Sequence, residues 1–442
     1  MSDQIGDWKR SHYTAEVPAK DGEQVTVMGW VREVRDIGKL KFIVLADREG
    51  TVQVTAKKGE TAETTMKKID TLTRESVVAI KGKIKANKQA PGGREISPEE
   101  IKILSMAEQP LSLEVSGKTP ALLDTRLDER VLDLRKPENQ ALFRIGARML
   151  AGMRQHLVEN HFIETYTPCL MGTPSESGAE LFVVPYFDKE AYLRQDPMLH
   201  RQLCVLAGFD KVFETGPSWR AELSHTSRHM CEHRNFAAEI SFIKDERDTM
   251  RLEEQVIVSG IKQVLKDCKP QLELLKVELE APKTPFPELK FPDIYDILAQ
   301  FGKKLKIGED YDSESEKILA KYVKEKYKTD FFFVNKFPYS VKPFYVMKDD
   351  ETYARSVDFI YKGLEISSGG QREHRYDVLI KQAKEKKMNL QHLEWYLKFF
   401  KYGVPPHGGF SIGLERILMQ IVGLENVREA TLFPRDTKRL LP

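Results

Sequence analysis

The sequence predicts an α+β chain in two parts: a small N-terminal β-barrel, then a larger antiparallel sheet flanked by helices. Three observations carry this. Short runs of period-two alternation, separated by turn residues, crowd the first hundred or so positions. The strands of the remainder come in successive runs instead of alternating with every helix, which disfavours a doubly wound parallel sheet. A single long amphipathic stretch opens that remainder.

In the first part, alternation is clear in Val25–Met28, Lys41–Leu45 and Thr51–Thr55, with turn residues at Asp36-Ile-Gly38 and Asp47-Arg-Glu-Gly50. A helix-like stretch follows near Thr61–Leu72, and two further strands are expected at Ser76–Ala86 and Glu99–Leu104. Five strands with one intervening helix point to an OB-type barrel over residues 1–107. Lys81, Lys83, Lys85 and Lys88 form a run without an acid, which suits either a solvated face or a phosphate-contacting edge.

The stretch from Ala107 to Thr125 holds prolines and no sustained helical stripe, so residues 108–136 read as a hinge. From Pro137 to Asn160, Leu142, Ile145, Met149, Leu150, Met153 and Leu157 recur at helical spacing. Beyond it, strands are expected at Asp210–Thr215, Glu239–Ile243, Phe331–Lys336, Ser356–Tyr361 and Gly409–Ile412. Helices are expected at Thr249–Cys268, Tyr376–Lys387 and Glu415–Val422. Residues 137–442 form the second domain, with an insertion at about 275–328 that is charged and proline-bearing.

Composition narrows the function classes. Of 442 residues, 41% are hydrophobic and 31% charged, an ordinary balance for a globular protein, and the net charge is +2. The longest apolar runs, such as Phe331–Val334, are too short to cross a bilayer. The N-terminus lacks the apolar stretch of a secretory signal, so a cytoplasmic protein without a membrane partner is expected. Cys169, Cys204, Cys231 and Cys268 stand far apart with no CxxC pair, which argues against zinc or a disulfide framework.

Three local patterns carry chemistry. In Phe213–Glu222, a strand runs to Arg220 and an acid follows two residues on at Glu222, where both could face one ligand. A guanidinium there could pair with phosphate and a carboxylate could accept an adenine amino proton; the bland alternative is a surface ion pair beside a turn. In Gly403–Met419, Gly408 and Gly409 let backbone approach a flat ligand, and Arg416 opens a helix where a phosphate oxygen would be favoured. In Gly363–His374, Glu365 and Ser368 are oxygen donors of the kind Mg²⁺ prefers, and Arg372 is suited to a side-chain carboxylate. For each of the last two, a glycine-rich turn is the simpler alternative.

Read in order, these stretches resemble the three signature motifs of class II aminoacyl-tRNA synthetases, with Thr167-Pro168 as the first. The likeness extends along the chain in GWVREVRDIGKLKFIVLADREGTVQV, LLDTRLDERVLDLR, SGAELF, FFFVNKFP, PPHGGFSIGLERI and LFPRDTKRLLP. All of these resemble the aspartyl-tRNA synthetases (subclass IIb) of archaeal and eukaryotic type. The resemblance implies an OB-fold anticodon-binding domain followed by a class II catalytic domain. It implies a homodimer that uses ATP and Mg²⁺ to activate L-aspartate and pass it to tRNA(Asp), with tRNA(Asn) as a second candidate acceptor.

By the same resemblance, Arg220 and Arg416 are the catalytic cations. Arg220, Glu222, Arg228, His229, His233, Glu365 and Arg416 hold ATP, with His233 at the adenine-stacking position. Glu176, Met198, Arg201, Ser368 and Arg372 face the amino acid, Glu365 and Ser368 hold Mg²⁺, and Phe42 and Gln53 meet anticodon bases. Phe42 fits equally as an ordinary barrel core residue. The implied reaction needs no protein nucleophile or general base, because the amino acid's carboxylate attacks the α-phosphate while fixed cations neutralise the developing charge.

The chain departs from the family in its amino-acid pocket. Where the family shows QSPQLYKQ, this sequence has Gln195-Asp-Pro-Met-Leu-His-Arg-Gln202, so Met198 replaces a glutamine and Arg201 a lysine. Where FTSIDIE is usual, His233-Arg-Asn-Phe-Ala-Ala-Glu239 puts Ala237 at the position of an ammonium-binding aspartate, with Asp196 a candidate substitute. Two alternatives follow: a diverged paralogue activating asparagine or another amino acid, and a catalytically inactive tRNA-binding protein. The second would be expected to have lost Arg220, Glu222 or Arg416, and all three are present.

Overall fold

Alternation in the N-terminal strands turns Val25, Val27, Val31, Ile43, Leu45, Val52 and Val54 to one side, where they form a closed apolar core with Ile80, Ile84 and Ile96. These residues belong to β1 (Gln24–Asp36), β2 (Leu40–Asp47), β3 (Gly50–Lys57), β4 (Val77–Ala86) and β5 (Arg94–Ser105), which close into a barrel in the order β1-β2-β3-β5-β4. Helix α1 (Glu63–Thr71) adds Ile69 to that core. Strand β5 begins five residues before the expected Glu99. Pro98 obscures the pattern, but a register shift opposite Lys81 and Gly82 accommodates it. The structure, a computed structural model, describes residues 2–117, 119–173, 181–223 and 226–441. It divides into two compact units, Met1–Gln140 and Ala141–Pro442.

The stretch after the barrel carries two short helices, α2 (Leu123–Asp128) and α3 (Arg130–Asp133), before α4 (Pro137–Glu159). Buried Arg130 and Asp133 form an ion pair at 2.7 Å. In the second unit, an eight-stranded sheet runs in the order β12-β13-β14-β15-β16-β11-β10-β6. Its strands are β6 (Ile163–Glu164), β10 (Lys211–Trp219), β11 (Glu232–Ser241), β12 (Glu288–Lys290), β13 (Phe331–Asn335), β14 (Ser356–Tyr361), β15 (Leu364–Gln371) and β16 (His407–Gly413). The interior pairs are antiparallel, and only the outermost pairs, β12 with β13 and β6 with β10, are parallel. A small sheet of β7 (Leu170–Met171), β8 (Val183–Tyr186) and β9 (Lys189–Leu193) stands apart from it.

One face of the large sheet is apolar. Phe213, Phe236, Ala238, Phe333, Phe359, Phe410 and Ile412 pack on Ile145, Met149 and Met153 of α4. The same core takes Val256, Ile257 and Ile261 of α6 (Glu246–Asp267), and Ile417 and Ile421 of α12 (Leu414–Val422). The remaining helices are α5 (Met198–Cys204), α7 (Lys269–Leu275), α8 (Asp293–Gln300), α9 (Ser313–Tyr327), α10 (Tyr376–Glu385) and α11 (Glu394–Leu397). The 275–328 stretch, expected as an insertion between strands, supplies the sheet's own edge strand β12. Its helices α8 and α9 bury Ile294, Leu298, Leu319 and Val323 against Phe332, Val334 and Ile360. Strand β13 is buried on both faces, which explains why its sequence runs without alternation.

Candidate active site and nucleic-acid face

Because side chains alternate along a strand, the residues between those apolar ones reach the opposite face of the sheet. Asn235 and Ser411 rise there from β11 and β16, and Asp358 and Ser368 from β14 and β15, into a cavity of about 530 Å³. The expected site residues Met198, Arg201, Arg220, Glu222, Arg228, His229, His233, Glu365, Ser368, Arg372 and Arg416 all line this one cavity. Glu176 lies in residues 174–180, outside the described residues.

At the open end stand the arginines. Strand β10 stops at Trp219, one residue before the expected Arg220, so Arg220 and Glu222 meet the cavity from the segment just past the strand. The Glu222 amide donates to the Arg220 carbonyl at 2.8 Å. Arg416, near the start of α12, donates to the Glu365 carbonyl at 3.0 Å, with the Glu365 carboxylate 3.8 Å away. Arg228 is held by α9: its Nη2 donates to Glu316 Oε2 at 2.5 Å, and its Nη1 donates to the Ser313 hydroxyl. Burial lowers the His233 imidazole to about 4, and Arg220 and Arg416 push it the same way. At neutral pH it therefore offers an uncharged ring face. His229 is lowered too, by burial and then by Arg416, Arg228 and Arg220, and shares a 2.7 Å hydrogen bond with Thr226.

The closed end holds two buried guanidinium groups. Arg372 donates through Nε and Nη2 to Glu239, at 2.8 and 3.3 Å. Arg201 Nη2 donates to Asp196 at 2.7 Å. Gly409 is required here, since a Cβ at that position would meet Glu239 Oε2 at 2.3 Å and the Ala238 carbonyl at 2.1 Å. Met198 also lines the cavity but packs within the apolar cluster of Leu199, Phe344 and Tyr396.

Between these ends lies a carboxylate cluster. Burial raises the Asp358 carboxyl to about 7; Lys342 opposes the shift and Glu365 adds to it. Ser368 Oγ donates to Asp358 Oδ1 at 2.7 Å. Asp358 went unnoticed in the sequence, although it is the only charged side chain in the apolar run Ser356–Tyr361. Glu365 and Ser368 are three apart, which in a regular strand would put them on opposite faces. A register shift leaves Ile366 unpaired, since Phe359 faces Ser367 and Ile360 faces Glu365; the two oxygen donors thereby share a face. Among the described residues no group of three or more His, Cys, Asp or Glu side chains forms a ready metal cage. Two carboxylates with a hydroxyl suit Mg²⁺, which takes one or two carboxylates and completes its shell with phosphate oxygens.

On the barrel, Phe42 and Gln53 come together on a groove of about 560 Å³ with Thr55, Lys57, Lys85 and Glu95. Phe42 is only partly buried and points away from the core that its neighbour Ile43 enters. Gln53 Nε2 and Thr55 Oγ1 both donate to Glu95, at 2.9 and 2.6 Å. Glu95 carried no signal of its own, because its strand was expected to start four residues later.

A family profile described as tRNA synthetases class II (D, K and N) matches residues 123–437, and one described as OB-fold nucleic acid binding domain matches residues 25–104. The chain is 45% identical over 436 residues to the aspartate–tRNA(Asp) ligase of Pyrococcus furiosus, covering 98% of this chain and 100% of that one. It is 45% identical over 431 residues to the aspartate–tRNA(Asp/Asn) ligase of Methanopyrus kandleri, covering 97% and 99%. Among solved structures, asparaginyl-tRNA synthetase from Pyrococcus horikoshii complexed with asparaginyl-adenylate superposes with a TM-score of 0.92 at 32% identity, covering 98% and 100%. Aspartyl tRNA synthetase from Entamoeba histolytica gives 0.86 at 30% identity, covering 96% and 91%.

Proposed function

The chain belongs to the class II tRNA synthetases (D, K and N), and from that membership we propose that it activates aspartate with ATP and transfers it to tRNA(Asp), with tRNA(Asn) as a further acceptor. The observation that carries this reading is the single cavity in which Arg220, Arg416 and Arg372, contributed by three distant segments, surround one polar sheet face. Relatives named for aspartate at 45% identity along the whole chain support the amino acid.

In this reading adenine lies against the neutral His233 ring, and Glu222 accepts its amino proton. Arg220 and Arg416 bond the phosphate oxygens, and Arg228 leaves Glu316 to join them. Arg372 and Arg201 bind the side-chain carboxylate of aspartate. The substrate's α-carboxylate attacks the α-phosphate in line, and its negative charge is met by guanidinium groups already in position, so little reorganisation is needed as charge builds up. Asp358, Glu365 and Ser368 would hold Mg²⁺, which when bound supplies positive charge to the phosphate oxygens. Phe42 stacks on an anticodon base and Gln53 bonds one. The chain works as a homodimer, a reading supported by the exposed aromatic side chains of Tyr166 and Phe187.

ATP–pyrophosphate exchange with each amino acid in turn tests the substrate. Exchange dependent on aspartate is expected; exchange with asparagine alone, or none, removes the reading. Charging of tRNA transcripts with swapped anticodons then fixes the acceptor range. A second reading, activation of asparagine or another amino acid, is favoured by the apolar setting of Met198 and by Ala237 on the cavity side of β11.

A further inference from the structure

Helix α5 brings Met198 and Arg201 to the closed end of the cavity, whereas Gln202, next along, does not line it and is wholly buried. Gln202 Oε1 lies 2.8 Å from the Tyr396 hydroxyl on α11 and 3.0 Å from Nε2 of His407, the first residue of β16. Tyr396 and His407 are likewise shielded from solvent. The other end of the Gln202 amide lies 3.0 Å from Met198 Sδ, one helical turn back. Among the described residues, the contact with His407 is the only side-chain hydrogen bond that joins α5 directly to a strand of the large sheet. His407 in turn holds the second guanidinium segment by its backbone, since the Arg372 amide donates to the His407 carbonyl at 2.9 Å. A run of bonds behind the pocket therefore leads from Arg201 through Gln202 and His407 to Arg372.

The chemistry of the link calls for an amide. Burial keeps the His407 ring neutral at pH 7, so it carries one N–H, yet both of its nitrogens face a neighbour. Nδ1 lies 2.9 Å from the Pro405 carbonyl, which can only accept. The proton therefore sits on Nδ1, and Nε2 is left as an acceptor. With its nitrogen turned to Nε2, the Gln202 amide donates there, and its second N–H reaches the Tyr396 hydroxyl oxygen. An apolar side chain of the same length would fill the space and leave Nε2 buried without a partner.

We propose that Gln202 is a positioning residue for the amino-acid substrate: by bonding the His407 ring from the buried side of α5, it fixes the spacing between the Arg201 and Arg372 guanidinium groups. The inference rests on the amino-acid-activating function proposed above, in which those two groups bind the substrate's side-chain carboxylate.

The test is pyrophosphate exchange by the full chain and its Gln202→Met variant, which keeps the length of the side chain and removes the amide. The KM for aspartate is expected to rise on the order of ten-fold, as for the loss of one buried hydrogen bond. The KM for ATP and kcat stay within about two-fold, as expected for groups that share no partner with Gln202. If both KM values and kcat change together, Gln202 serves the fold at large and the inference is overturned; an unchanged aspartate KM overturns it as well. His407→Phe is expected to raise the aspartate KM to a similar extent. The double variant Gln202→Met/His407→Phe should raise it no further, because the same bond is lost in all three; effects that multiply would overturn the proposal. Should a single variant fail to fold, the double variant, in which neither member of the pair is left alone, carries the test. A folded double variant with the wild-type aspartate KM overturns the proposal. If the unmutated chain uses another amino acid, the aspartate reading fails, and the same variants are compared with that amino acid. Exchange with no amino acid overturns both.

Discussion

Arg372 and Glu239 form a two-pronged ion pair, at 2.8 and 3.3 Å, beneath the closed end of the cavity, with both side chains almost wholly shielded from solvent. The pair joins the residue just past β15 to the C-terminal part of β11. Removing one member leaves the other charge buried, which costs about 3–5 kcal/mol. Glu239→Ala is therefore expected to lower stability by that order in urea denaturation. Gly409→Ala is expected to act in the same direction, because its methyl group would displace the Glu239 carboxylate. Wild-type stability in Glu239→Ala would refute the pairing.

At the open end, Arg220 and Arg228 are predicted to behave differently. Arg220 is exposed, so Arg220→Ala should abolish nearly all exchange while leaving the unfolding midpoint unchanged. Arg228 must first leave Glu316. Glu316→Gln should weaken that hold by about 1 kcal/mol and lower the KM for ATP roughly five-fold, whereas Arg228→Ala should raise it. An ATP KM that ignores Glu316 would show that Arg228 stays on α9 during turnover.

Stability should depend on pH with opposite slopes from two groups of buried side chains. Burial lowers His407 from 6.5 to about 4, and His233 likewise. Between those values the unfolded chain binds protons that the native state does not, so stability falls as pH falls through that window. Burial raises Glu253, on α6 beneath the sheet, from 4.5 to about 8. There the native state keeps a proton the unfolded chain has lost, so stability falls as pH rises towards 8, by up to about 1.4 kcal/mol per pH unit. Glu253→Gln should flatten the slope between pH 6.5 and 8 and steepen the loss of stability with acid between about 4.5 and 6.5, where Glu253 offsets the histidines. Urea midpoints of both proteins at several pH values check this, and identical slopes would refute it.

The barrel groove should serve tRNA alone. Phe42→Ala is expected to lower kcat/KM for tRNA charging by roughly 1–3 kcal/mol, the value of one base stack, with exchange unaffected. Gln53→Ala should act similarly, and Glu95→Ala more weakly, by releasing Gln53 and Thr55. A variant that lost exchange along with charging would place Phe42 in folding instead of recognition.

Much of this was legible in the linear pattern. Period-two alternation located β2 and β3 closely and marked the start of β1, which runs on to Asp36; β4 and β14 matched the expected Ser76–Ala86 and Ser356–Tyr361. The glycine-rich segment around Glu365 was harder. It reads as a turn because Gly369 and Gly370 suggest a break, yet β15 sits inside the sheet, where the two glycines admit the neighbouring strands closely. The edge strand β12 had three residues and a parallel partner 45 positions on, too short a signal for local periodicity.

The sequence by itself determined the elements and the residue types: two guanidinium motifs, an acid and hydroxyl for a cation, an aromatic and an amide on a barrel strand. These follow from local chemistry and spacing, which a linear chain carries in full. Only the tertiary structure decided which of them meet. The unpaired Ile366 turns Glu365 and Ser368 to one face, Asp358 arrives from the neighbouring strand, and Asp196 and Glu239 find Arg201 and Arg372 across 5 and 133 positions of sequence. Such pairings depend on strand register and close packing, and no single segment encodes either.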